Sequence, residues 1–159
     1  MTSGVQGGYA ASDGAAYQRF IGRWTRRLAD SLIAFAAPVP KGALLDVGTG
    51  TGSVAAALCQ AEPSRKITGI DVSKPYLDFA RKRDDCDGVT FLQQDAAALD
   101  LLDDRFAGAF SCIVMNFLKE PAKALFEMCR VVMPGGVVAS AVWDFRGGLV
   151  YQRMLWDTV

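Results

Sequence analysis

Histidine is absent from the 159 residues, and neither sign of charge is in surplus: 17 Lys plus Arg stand against 17 Asp plus Glu. Without imidazole the chain lacks the usual near-neutral proton shuttle and the commonest transition-metal ligand, which excludes Ser-His-Asp hydrolysis and His-based zinc sites. A net charge of zero offers no basic face for displacing counterions from phosphates, so no nucleic-acid partner is expected. Paired cysteines are missing too. Cys59, Cys86, Cys112 and Cys129 form no CxxC, and no basic start followed by an apolar run marks a signal segment. Thiols packed as small hydrophobes in a reducing cytoplasm are the expectation. Long apolar runs are also lacking: residues 32–39 and 136–143 are too short to span a bilayer, so no membrane partner is expected. What is present is core material. Apolar residues make up 51% of the chain, enough for one ordinary domain and far from the signature of disorder.

Residues 1–14 are rich in Gly, Ser and Ala without periodicity and read as a flexible N-terminal arm. Residues 15–40 form an N-terminal helical segment. Tyr17, Phe20, Ile21, Trp24, Leu28, Leu32 and Phe35 recur at helical spacing, with a break expected near Gly22. Pro38 and Pro40 end it. Residues 41–159 read as an α/β core. Strands are predicted at 43–47, 66–72, 89–92, 106–113 and 136–143, and helices at 53–61, from Ser73 onward, at 122–132 and at 149–158. Such alternation specifies parallel strands with right-handed crossovers and helices on both faces.

The informative stretch runs from Leu44 through Asp46, Gly48, Gly50 and Gly52: a strand that enters a glycine turn and then a helix. Glycines there let a ligand approach the main chain, while the helix start presents unpaired N–H groups, so a nucleotide-like ligand belongs at the loop. Two ligand classes compete. Gly50, Gly52 and Ala55 satisfy GxGxxA, and Asp71 lies 19 residues beyond Gly52, which allows a nicotinamide dinucleotide. Against this, Asp46 places a carboxylate where a pyrophosphate would arrive. A ligand bearing an ammonium and a sulfonium suits it better, which favours S-adenosylmethionine.

The ordered set of Asp46-Val-Gly48-Thr-Gly50-Thr-Gly52, Asp71 ending the second strand, Gln94-Asp95-Ala96 ending the third, and Pro134-Gly135-Gly136 before the fifth resembles the motif series of class I S-adenosylmethionine-dependent methyltransferases. Gly22-Arg23-Trp24 and Ala141-Val142-Trp143 further resemble the small-molecule group called the type 11 domain. The resemblance implies a Rossmann-like sheet of about five strands in the order 3-2-1-4-5, without the final antiparallel hairpin of the full fold. It also implies roles. Asp46, Thr49 and the amides of Gly48, Gly50 and Gly52 would hold the methionine part, Asp71 the ribose hydroxyls and Val72 the adenine face. Asp95 and Ala96 would meet the adenine edge, Cys112 would line the site near the methyl, and Tyr17 or Arg23 would reach the ligand's carboxylate.

Methyl transfer from a sulfonium is an in-line displacement with an activated leaving group, so the protein chiefly aligns the partners and excludes water. The sequence singles out no catalytic base. Three functions follow: a methyltransferase acting on a small-molecule acceptor, a module that binds S-adenosylmethionine or its demethylated product without a complete acceptor site, and a nicotinamide-dependent oxidoreductase. The predicted fifth strand would be an unblunted edge of Val, Ala and Trp, so cover by the 149–158 helix or by a homodimer is expected.

Overall fold

The computed structural model describes residues 13–145, 147, 148 and 154. Five strands form one sheet: β1 (Leu44–Val47), β2 (Ile67–Asp71), β3 (Thr90–Gln93), β4 (Phe106–Cys112) and β5 (Val132–Ala141). Every pairing is parallel, and the order is β3-β2-β1-β4-β5. β1 is central and all four of its residues are buried, as a strand covered on both faces must be. Its register sets Asp46 beside Gly69 of β2 and Phe110 of β4.

Side chains alternate across β1 and divide the core in two. Leu44 packs with Phe110 against α2 (Arg23–Ala36), α3 (Ser53–Ala61) and α4 (Lys74–Ala80). Leu45 and Val47 pack with Ala109, Met128 and Val131 against α5 (Pro121–Val131). Leu45, Phe110 and Met128 are fully enclosed, so truncating any of them to alanine costs about 2–5 kcal/mol.

Helix caps follow the residue chemistry. Asp13 accepts the Ala16 N–H at the start of α1 (Gly14–Tyr17), and Ser73 accepts the Tyr76 N–H at the start of α4, where Pro75 occupies the first turn. The break predicted near Gly22 is a π-helical turn over Gln18–Gly22. Its extra residue shifts the helical phase, and this corrects the predicted apolar stripe. The face of α2 that enters the core is Thr25, Ala29, Leu32 and Ala36, whereas Phe20 and Phe35 are 82% and 83% exposed. Small residues bring α2 close to α3, leaving the large aromatics outside. Trp24 is likewise half exposed instead of filling the core, with the Arg23 guanidinium 5.0 Å above its ring.

The strand and helix bounds otherwise shift by a residue or two. β5 begins four residues earlier than predicted, at Val132, because the Pro134-Gly135 turn is carried within the strand as an irregularity of its pairing with β4. All four cysteines are free thiols, and Cys129, against expectation, is exposed. The predicted arm over 1–14, apart from Asp13 and Gly14, and the predicted helix over 149–158, apart from Met154, lie outside the described residues, so the expected cover of the β5 edge does too. Among the described residues no helix is long and apolar enough to cross a membrane.

Candidate functional site

The carboxyl ends of β1, β2, β3 and β4 open into a cleft of about 510 Å³. Its position outside the strand ends, where crossovers diverge to opposite faces, is the usual one for a ligand in an open α/β sheet. The glycine loop forms its floor. Thr49 N–H donates to the Ile70 carbonyl at 2.8 Å, pinning the loop over β2, and Gly52 N–H returns to the Thr49 carbonyl at 2.8 Å. Gly48 has φ +71°, and a Cβ there would stand 2.4 Å from Val114, so both conformation and space demand glycine. Gly50 differs: a Cβ on it would meet nothing nearer than Tyr76 at 3.8 Å, leaving its backbone bare toward the cleft.

Asp71, at the end of β2, is gripped by main chain. Gly50 N–H donates to Oδ2 at 2.9 Å and Ser73 N–H to Oδ1 at 2.8 Å. Burial raises this carboxyl above its ordinary value, and the N–H groups of Ser73, Gly50 and Val72 work against that rise. Each oxygen has spent one lone pair and keeps another for a donor in the cleft. Asp95 also holds its place by a short Asx turn, with Oδ1 accepting the Ala97 N–H at 2.9 Å.

The structure brings nine of the predicted residues around this cleft: Tyr17, Gly48, Thr49, Gly50, Asp71, Val72, Asp95, Ala96 and Cys112. Gly52, Asp46 and Arg23 are not among its walls. Gly52 adopts φ +83° as the N-cap of α3, beneath the loop. Asp46 is fully buried behind the loop, because strand alternation turns it toward α3 alongside Leu44. Its Oδ2 accepts from the Thr49 hydroxyl at 2.6 Å and from the Ala55 N–H at 3.1 Å, tying β1, the loop and α3 together. Burial pushes its carboxyl up to about 7, with the Thr49 and Ala55 bonds opposing the rise and the nearby Asp71 charge adding to it. Asp46 thus organises the loop instead of touching a ligand. Arg23 begins α2 on its outer face and lies on Trp24.

Several wall residues carried no signal in the sequence. Tyr76 reaches the cleft from α4 and stacks on Tyr17 with ring centroids 5.2 Å apart. The π-helical turn sets Gln18 where its Oε1 accepts the Thr51 hydroxyl at 2.9 Å, and Thr25 and Ser53 share a hydrogen bond at 3.0 Å, so α1, α2 and the glycine loop are stitched together. After β4 the chain turns sharply at Ile113, with φ +60°, and Ile113, Val114, Phe117 and Leu118 form one side of the cleft with Trp143. Burial and the Asp46 charge raise the Cys112 thiol to about 12, so it is a neutral wall atom and no base.

Residues 45–140 match the family model described as "Methyltransferase domain". The chain is 38% identical over 140 residues to a demethylmenaquinone methyltransferase of Thermus thermophilus, covering 82% of this chain and 60% of the relative. It is 33% identical over 121 residues to a malonyl-[acyl-carrier protein] O-methyltransferase of Methylococcus capsulatus, covering 76% of this chain and 44% of the relative. Among solved structures, a SAM-dependent methyltransferase of Thermotoga maritima, described as a possible histamine N-methyltransferase, superposes with a TM-score of 0.66 at 29% identity over 87% of this chain and 63% of that one. A methyltransferase of Haloferax volcanii, solved in complex with the Trm112 methyltransferase activator, gives a TM-score of 0.74 at 24% identity over 91% of this chain and 64% of that one, a likeness of fold. The chain therefore spans about half the length of the curated relatives it matches. With its sheet order, its glycine loop and this match, the chain belongs to the methyltransferase-domain family, whose members depend on S-adenosylmethionine.

Proposed function

We propose that the cleft transfers a methyl group from S-adenosylmethionine to a small-molecule acceptor. The observation that carries this reading is the Asp71 carboxylate, anchored by Gly50 and Ser73 N–H groups and facing the cleft with a lone pair left on each oxygen. A ribose diol offers two O–H donors at matching spacing, and the bare backbone at Gly50 leaves room for the ligand against the loop. The acidic donor set also suits a cationic ligand better than a pyrophosphate, which would meet Asp71 and Asp95 without a compensating charge.

Within this reading Gly48, Thr49 and Gly50 hold the methionine part, with Asp46 and Gly52 shaping the loop from behind. Asp71 accepts the ribose hydroxyls. Val72, 63% exposed at the cleft mouth, offers a flat apolar platform for adenine. The free oxygen of Asp95 and the main chain at Ala96 address the adenine edge. Tyr17, braced by Tyr76, closes the side that Arg23 does not reach. When bound, S-adenosylmethionine supplies an electrophilic methyl on a sulfonium, so the chain need only position the acceptor and exclude water. Cys112, neutral and half-buried, contributes shape.

The relatives' names span a quinone precursor, an acyl-carrier-linked malonyl group and trans-aconitate, so small molecules or their carriers are the acceptor range that similarity supports. Calorimetry with S-adenosylmethionine and with NAD on one preparation tests the reading. Binding of S-adenosylmethionine alone is expected, and binding of NAD alone would overturn it. Tight binding without transfer to any acceptor would make the chain a binding module.

A further inference from the structure

Two kinds of wall meet in the cleft. The glycine-loop half is built of main-chain amides, hydroxyls, Asp71 and Asp95. The other half is apolar: Phe20 and Ile21 come from the π-helical turn, and Ile113, Phe117, Leu118 and Trp143 come from the segments that follow β4 and β5. Among the described residues no Lys or Arg lines the cleft.

The apolar half is held in shape by a specific device. Asn116 spends both ends of its amide on the Trp143 main chain: Trp143 N–H donates to Asn116 Oδ1 at 2.8 Å, and Asn116 Nδ2 donates to the Trp143 carbonyl at 3.2 Å. Ile113 N–H donates to the Ala141 carbonyl at 2.7 Å, one turn deeper. Together these bonds fasten the segment after β5 to the segment after β4 and fix where the indole of Trp143 stands. At the mouth Phe20 and Phe117 remain 82% and 59% exposed. Large apolar groups left in water on opposite sides of a concave site mark a surface that a ligand covers.

We propose that the half of the cleft built by Phe20, Ile21, Ile113, Phe117, Leu118 and Trp143 is the acceptor site, and that it selects a neutral, flat, largely apolar molecule over a carboxylate of the same size. The proposal rests on reading the glycine-loop half as the cofactor site. Flatness follows from the aromatic and branched side chains on both walls, which reward a ring laid between them. Neutrality follows from the charges: an anionic acceptor would lose its hydration among apolar groups while facing Asp71 and Asp95. A cationic one gains little from those carboxylates, whose oxygens already accept the Gly50, Ser73 and Ala97 N–H groups. Asn116 is a positioning residue for this site, acting through Trp143.

The experiment uses a matched pair of probes, 1-naphthol and 1-naphthoate, titrated calorimetrically into the protein with and without S-adenosylmethionine. Naphthol is expected to bind at least about tenfold more tightly than naphthoate. Phe117→Ala and Asn116→Ala are each expected to weaken naphthol about tenfold while leaving S-adenosylmethionine affinity within about twofold, which also shows that the variants fold. Arg23→Ala, outside the cleft, is expected to leave the preference intact. The proposal is overturned if naphthoate binds as tightly as naphthol, if neither probe binds a protein that takes up S-adenosylmethionine, or if Phe117→Ala leaves naphthol affinity unchanged. A naphthol preference that depends on Phe117 in a protein with no affinity for S-adenosylmethionine would uphold the apolar site and refute the cofactor reading instead.

Discussion

The two halves of the cleft are made in different ways. On one side the contact surface is backbone: the amides around Gly48 and Gly50, fixed by bonds from Thr49 to Ile70 and from Gly50 to Asp71 within consecutive elements. On the other it is side chain, with Phe20, Phe117 and Trp143 gathered from segments nearly a hundred residues apart. A main-chain surface tolerates few substitutions, because it depends on φ values and the absence of Cβ atoms. A side-chain surface can be rewritten one residue at a time without disturbing the sheet. One fold can therefore keep a constant cofactor floor beneath a variable acceptor wall.

The largest effect is expected where the halves touch. Gly48→Ala forces a side chain into a left-handed conformation and against Val114, which belongs to the apolar half, at 2.4 Å. A loss of about 3 kcal/mol in urea denaturation is expected, with both ligand affinities falling together. A stable variant with unaltered affinities would mean that the halves are not in mechanical contact. Asp71→Asn should separate them: S-adenosylmethionine binding is expected to weaken on the order of 100-fold while naphthol affinity stays level. Because burial raises the Asp71 carboxyl, cofactor affinity should start to fall on acidification at a higher pH than an exposed aspartate would dictate.

A smaller effect distinguishes the halves by pH. The Asp46 carboxyl, normally near 3.8, sits at about 7 in the folded chain, so across that window the folded state holds the extra proton and raising the pH removes stability. The slope should approach at most roughly 1.4 kcal/mol per pH unit, flatten above about 7, and diminish in Asp46→Asn. Naphthol affinity, which depends on no carboxylate in the apolar wall, should stay flat over the same range. Chemical denaturation and calorimetry at a series of pH values read the two together.

How far the sequence reaches follows the same division. The strands, their order and the glycine loop are legible because they are local: a strand, a turn needing glycine and a helix occupy one stretch, and Asp71 and Asp95 stand at predictable strand ends. Asp46 was legible as important but not in its role, since alternation along β1, and not proximity in sequence, turns it behind the loop. Arg23 and the aromatic stripe of the first helix were misplaced because the π-helical turn over Gln18–Gly22 rotates everything after it, and no residue pattern announces that extra residue. The Phe117 and Trp143 wall depends on a side-chain amide reaching across 27 residues, a relation that periodicity cannot carry.

The turn at Ile113 sets stability against fit. A branched side chain at φ +60° costs about 1–2 kcal/mol relative to a glycine, which occupies that region freely. Ile113→Gly would relax the backbone and at the same moment delete part of the apolar wall. Selection for a more durable fold and selection for a tighter acceptor site would therefore pull this single position in opposite directions, and the isoleucine marks the side that has prevailed.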